Sequence, residues 1–229
     1  MLPLLVSVPH AGLRVPAEVE ALCALTPAEI AEDGDGGAAE IYALEGEVGA
    51  LATTDVARVA VDVNRSRDDG GPDGVVKTHT CWNVPVWRRP LSQAEIEGLL
   101  DAYHAPYHAR LTELGRSGDW VLGVDCHTMA ATGPPLGPDP GAERPWVCLS
   151  NGDGTCPPEW IDSLQECFRR HLDGPVKVND PFRGGYITCF HAAEMPWIQI
   201  ELSRAPYLPD EGKRQVVLAA LRDWAQRHT

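Results

Sequence analysis

Two histidines and several carboxylates stand where apolar runs stop. Residues 120–124 form an apolar run that ends in Asp125-Cys126-His127-Thr128, and residues 4–8 form another that ends in Pro9-His10-Ala11-Gly12. Read as buried strands, these runs deliver polar side chains at their carboxyl ends, where open α/β sheets collect ligands. Side chains alternate along a strand, so Asp125 and His127 point to one side and Cys126 to the other. An imidazole and a carboxylate so placed suit a metal site, as two ligands or as a ligand with its orienter. The plainer reading, polar residues closing a strand, weakens once a second histidine follows a second run. Asp33 and Asp35 lie in Asp33-Gly34-Asp35-Gly36-Gly37 ahead of a stretch with helical periodicity; each is either a helix cap or a metal ligand. Asn64-Arg65 pairs a directional amide with a planar fork that grips carboxylates. Glu201 follows the apolar run 197–200. A carboxylate held there is costly unless paired or hydrated, which points to catalysis or to an ion pair with Arg204.

The elements that must position these residues can be read from periodicity and caps. Residues 4–8, 51–54, 58–63, 120–124, 146–150, 176–178 and 196–202 read as strands. Thr26-Pro27-Ala28-Glu29 and Ser92-Gln93-Ala94-Glu95 are capping boxes that open helices. Ile41, Leu44 and Val48 recur at helical spacing, predicting a helix over 38–48. Helices are also expected after Pro157-Pro158 and from Asp210 to the end. His104 and His108 have the i,i+4 spacing of a metal pair, but Pro106 between them removes a helix donor and should kink or restart the helix. Residues 68–90 and 132–144 are long Gly/Pro-rich loops, the first with room for a hairpin around 75–86. His79, within the first, reads as a surface histidine. Gly184-Gly185 would let backbone approach a ligand closely.

Strands alternating with helices predict one α/β domain over residues 1–229, three layers (α/β/α) around a mixed, largely parallel sheet. The net charge of −14 argues against nucleic acid and anionic membranes, and an anionic substrate would need locally placed arginines. Seven cysteines without a C-x-x-C pair suit free thiols in a reducing, cytoplasmic setting. The amino terminus lacks the basic segment of a signal peptide, and no apolar run approaches the length of a membrane span. Oligomeric state is not legible.

Ser7-Val-Pro-His-Ala-Gly12, Asp35-Gly36, Val61-Asp-Val-Asn-Arg65, Pro106-Tyr-His108, Asp125-Cys-His-Thr128, Phe182-Arg-Gly-Gly-Tyr-Ile-Thr188 and Gln199-Ile-Glu201 occur in this order. The series resembles the N-formylglutamate amidohydrolases, over residues 7–207, and through them the zinc carboxypeptidase and aspartoacylase group. Thr128 stands where that family usually has Ser, and Cys189 where it often has Arg. The resemblance implies a zinc carboxypeptidase-like fold and metal-assisted amide hydrolysis of an N-formyl or N-acyl amino acid. It implies one Zn²⁺ per chain on His10, Asp35 and His127, with Asp33 or Glu40 as alternatives to Asp35. Glu201 would be the general base and Asp125 an orienter. Asn64, Arg65, Arg183, Gly184, Gly185 and Tyr186 would contact a carboxylate-bearing substrate. Three other readings stay open: a metallopeptidase or amidase for another substrate, a non-catalytic small-molecule binder, and a metal-free cysteine hydrolase. Cys126 serves the last poorly, because it faces away from His127.

Overall fold

A computed structural model describes residues 1–229. Six strands form one sheet: β1 (Leu2–Val8), β2 (Val48–Thr53), β3 (Leu122–Met129), β4 (Val147–Ser150), β5 (Val176–Val178) and β6 (Trp197–Ser203). Their spatial order is β2-β1-β3-β6-β4-β5. All neighbours are parallel except β4 and β6, so the sheet is mixed and mostly parallel, as expected.

Strand alternation builds two unlike faces. Leu4, Val6 and Val8 of β1, Leu122, Val124 and Cys126 of β3, and Ile198, Ile200 and Leu202 of β6 share one apolar cluster. That cluster takes in α2 (Ala38–Ile41), α5 (Pro158–His171) and α7 (Asp210–His228). The opposite face packs Leu5, Ala52 and Trp197 against α3 (Gln93–Leu99), α4 (Ala105–Arg116) and α6 (Tyr186–Phe190). On this second face β3 and β6 turn polar toward their carboxyl ends. The register pairs Asp125 with Gln199 and His127 with Glu201, and paired residues of parallel strands project to the same side. Gly123 begins that face on β3 because a Cβ there would lie 2.3 Å from the Trp197 ring.

Both capping boxes are formed: Thr26 caps α1 (Pro27–Asp33) and Ser92 caps α3. Four expectations need correction. The helix from Ala38 stops at Ile41; Gly46 turns the chain with φ +78° and Val48 starts β2. Leu44 and Val48 are buried, but from a turn and a strand rather than a helix. Residues 58–63 are turns, not a strand, and Val61 and Val63 bury themselves against the second face from that loop. Pro106 does not interrupt its helix: residues Leu100–His104 widen into a π turn, with the Ala105 N–H reaching the Leu100 carbonyl five residues back. Finally, β3 continues through Met129, so Asp125 and His127 lie within the strand. The 68–90 segment does hold a short hairpin: an antiparallel bridge joins His79 and Pro85, flanked by the Thr80 N–H on the Val84 carbonyl and the Val86 N–H on the Thr78 carbonyl. No helix is long and apolar enough to cross a membrane.

Candidate metal centre and active site

The carboxyl ends of β1, β3 and β6 bring His10, Asp35, His127 and Glu201 to one cavity of about 290 Å³. The first three offer ligand atoms that all lie within 4.8 Å of one another, and all three residues are buried. Proton accounting shows which atoms face inward. His10 Nε2 donates to Asp62 Oδ1 at 2.8 Å, leaving Nδ1 3.5 Å from Asp35 Oδ2. His127 Nε2 donates to Asp125 Oδ2 at 2.9 Å; its Nδ1 stands 3.0 Å from the same Asp35 oxygen, donating to it while the ring is protonated and free to face a metal once that proton is lost. Each ring therefore has a carboxylate behind it and a nitrogen in front, the arrangement that orients metal-binding histidines. Ligands about 2 Å from a tetrahedral ion stand about 3.3 Å apart, close to these separations. His10 Nδ1 is buried without any hydrogen-bond partner. An orphaned imidazole nitrogen is expensive in a core and ordinary beside a cation. The donor set fits a zinc ion.

Asp35 owes its place to the loop between α1 and α2. The Thr128 N–H donates to its Oδ2, and the Asp35 N–H reaches the His10 carbonyl. Burial pushes its carboxyl up, but His10 and His127 outweigh this and hold it well below the ordinary carboxylate range. Burial disfavours charge on His127, yet Asp125, Asp35 and Glu201 outweigh that and hold it well above the ordinary imidazole range. Asp33 is occupied elsewhere, by the buried Lys77 ammonium and the Cys81 N–H, and Glu40 is exposed. Neither joins the cluster.

Glu201 is 7% exposed and receives one hydrogen bond, from Gln199 Nε2 at 3.0 Å. No cation lies within 4.0 Å of it; the anticipated partner Arg204 instead donates to the Glu32 and Gly34 carbonyls. Burial pushes the Glu201 carboxyl up to about 7. A proton acceptor with that affinity, facing a cavity, has the properties of a general base.

The other anticipated residues are placed differently. Arg65 lines the cavity, but its fork is taken by the Asp73 carboxylate and carbonyl. Asn64 is held from within: its Oδ1 accepts from the Ile187 N–H, and its Nδ2 stands 3.2 Å from His127 Nε2. Gly185 is small for the sake of Asn64 rather than a ligand, since a Cβ there would come within 2.2 Å of the Asn64 amide. Gly184 adopts φ +117° against Gly152. Arg183 is largely exposed and bound at both ends of its fork by Asp153. Tyr186 stacks on Phe190 outside the cavity. His104 and His108 do not face a metal; their Nε2 atoms hold the Arg65 and Val63 carbonyls, bracing Asn64 on both sides. Two contributors were not singled out in the sequence. Asp62 orients His10, and its place in Asp62-Val-Asn-Arg65 was the available signal. Gln199 bridges the Gly185 N–H and Glu201, and its signal was same-face spacing from Glu201. Cys126 is buried in the apolar face, where burial pushes its thiol well up, which removes it as a nucleophile.

The family profile described as N-formylglutamate amidohydrolase matches residues 2–208. The N-formylglutamate deformylase of Pseudomonas putida is 27% identical over 225 residues, covering 91% of this chain and 83% of that protein. Two crystal structures share the fold. The N-formylglutamate amidohydrolase from Ralstonia eutropha JMP134 superposes with a TM-score of 0.79 at 24% identity, covering 99% of this chain and 94% of that one. The gene product Atu2144 from Agrobacterium tumefaciens superposes at 0.77 with 17% identity, covering 99% and 90%. With the profile matched from the first strand past the last, this chain belongs to the N-formylglutamate amidohydrolase family of amide-cleaving enzymes.

Proposed function

We propose that this chain is a zinc-dependent hydrolase of the amide bond in N-formyl or N-acyl amino acids, with N-formylglutamate as the leading substrate. The observation that carries the reading is the orphaned Nδ1 of His10 aimed, with His127 Nδ1, at one oxygen of Asp35. His10, Asp35 and His127 would hold one zinc ion per chain, which when bound supplies Lewis acidity toward water and the scissile carbonyl. Asp62 and Asp125 keep the two rings in the tautomer that presents Nδ1. Glu201 takes the proton of the attacking water and returns it to the leaving amine, giving the free acid and the amino acid. Gln199 fixes the Glu201 carboxylate on the cavity side of β6. Asn64, fixed by the Ile187 N–H, lines the cavity beside His127, and Arg65, screened by Asp73, contributes positive potential more than a free fork. The cavity lies at the lower edge of the roughly 300–1,000 Å³ usual for small-molecule sites, which favours a single acylated amino acid over a polypeptide. The cysteines are all unpaired, supporting action in a reducing cytoplasm.

A second reading, hydrolysis of an N-acyl amino acid other than N-formylglutamate, is favoured by Cys189 in the position where the resemblance anticipates arginine. The test is hydrolysis of a panel of N-formyl and N-acetyl amino acids by the zinc-loaded protein. The account predicts the fastest turnover with N-formylglutamate. A preference for an uncharged side chain would move the reading to the second substrate class, and no hydrolysis of any member would overturn it.

A further inference from the structure

Five arginines line the cavity: Arg58, Arg65, Arg144, Arg183 and Arg204. Four already have carboxylate partners. Arg58 Nε lies 2.9 Å from Asp62, Arg65 Nη2 3.1 Å from Asp73, Arg144 Nη2 2.6 Å from Asp139, and Arg183 Nη2 2.7 Å from Asp153. Arg204 is the exception. It has no carboxylate within 4.0 Å. Its Nη1 donates to two backbone carbonyls, Gly34 at 2.9 Å and Glu32 at 3.2 Å. Its stem lies over Gly36, where a Cβ would stand 3.5 Å from Arg204 Cδ. The guanidinium is thus anchored against the two glycines that flank Asp35, at the wall of the metal centre.

A guanidinium has five N–H groups. With Nη1 committed, the Nε and Nη2 edge remains, which is the edge that binds a carboxylate side-on through two parallel bonds. The half-buried charge is otherwise uncompensated. In a chain of net charge −14, with Asp33, Asp35, Asp73 and Glu201 around the same cavity, an anionic substrate needs such a cation.

We propose that Arg204, not Arg65, grips a carboxylate of the substrate and sets the preference for an acidic amino acid. This rests on the hydrolase reading above. A competing role, in which Arg204 only braces the loop carrying Asp35, predicts equal losses with every substrate.

The test compares the zinc-loaded wild type with Arg204→Gln on N-formylglutamate and on its two monoamides, one lacking the side-chain carboxylate and one lacking the α-carboxylate. Arg204→Gln should lower kcat/KM about 10- to 100-fold on N-formylglutamate and on the monoamide that keeps the gripped group, mainly through KM. On the monoamide that lacks that group the change should stay within about 3-fold, because the interaction is already absent. Arg204→Lys should recover little, since a point charge cannot replace the fork. Zinc content should match the wild type. Equal losses on all three substrates, or no loss on any, would overturn the proposal. If the wild type hydrolyses none of them, the hydrolase reading fails and Arg204 is judged by calorimetric binding of L-glutamate. Affinity lowered at least 10-fold in Arg204→Gln upholds the clamp. Equal affinity, or no glutamate binding by the wild type, refutes it.

Discussion

Replacing Glu201 by glutamine should stabilise the metal-free protein while removing its activity. The wild-type carboxylate is buried, has no cation within hydrogen-bonding reach and receives one hydrogen bond, from Gln199. Burial pushes its pKa up to about 7 from an ordinary 4.5. At about 1.4 kcal/mol per pH unit, keeping it ionised in the fold costs on the order of 3 kcal/mol. The sign follows from linkage. Because the folded form holds this proton more tightly than the unfolded chain, the Glu201 contribution to stability is full below pH 4.5 and is lost as pH rises through about 7. Glutamine is neutral, and its carbonyl can still accept from Gln199. The variant should therefore melt later than the metal-free wild type at pH 8, by roughly 2–10 °C for roughly 1–3 kcal/mol in a chain of this length. The advantage should vanish near pH 4.5. Turnover of the zinc-loaded variant should fall about 10²- to 10⁴-fold, the usual contribution of a positioned general base. Melting curves from pH 4.5 to 8, paired with formate release, read both quantities. A variant that melts early and keeps wild-type kcat would show Glu201 to be structural. A gain that does not depend on pH would refute the burial argument.

Asp125→Asn should weaken zinc binding about 10- to 100-fold by withdrawing the carboxylate behind His127, as measured by competition with a chelator; unchanged affinity would mean the ring needs no orienter. Gly185→Ala should cost roughly 1–3 kcal/mol in urea unfolding, because the new Cβ would meet the Asn64 amide at 2.2 Å. Gly98→Ala, where nothing lies within 4 Å, should instead stabilise α3 by about 0.5–1 kcal/mol. If both variants behave alike, the packing assigned to Gly185 is wrong. Lys77→Met removes a fully buried ammonium from between Asp33 and Asp73 and should cost about 3–5 kcal/mol; a loss below 1 kcal/mol would indicate that the two carboxylates find other partners.

The parts legible in the sequence were those with a local cause. The capping boxes at Thr26 and Ser92 and the prolines before Glu159 mark helix starts because caps act within one turn. The apolar runs ending in His10, Asp125-Cys-His127 and Glu201 are legible because buried parallel strands are continuously hydrophobic and end at the site. What was not legible depended on distant contacts. Residues 58–63 have a strand's composition, yet the burial of Val61 and Val63 comes from packing beneath α3 and α4. Pro106 predicts a break, and only the π turn before it shows how the helix accommodates proline. Arg65 and Arg204 look alike in sequence. Their difference lies in Asp73, eight residues on in a loop without periodicity, which occupies one fork and leaves the other free.

The central claim is one zinc ion on His10 Nδ1, His127 Nδ1 and Asp35. Anomalous diffraction from crystals of the zinc-loaded protein, recorded on both sides of the zinc absorption edge, tests it most directly. The account predicts one strong peak per chain, about 2 Å from those two nitrogens and from an Asp35 oxygen. A peak instead on the buried pair His108 and His191, whose Nδ1 and Nε2 stand 2.9 Å apart, or an active crystal with no peak between His10 and His127, would contradict it.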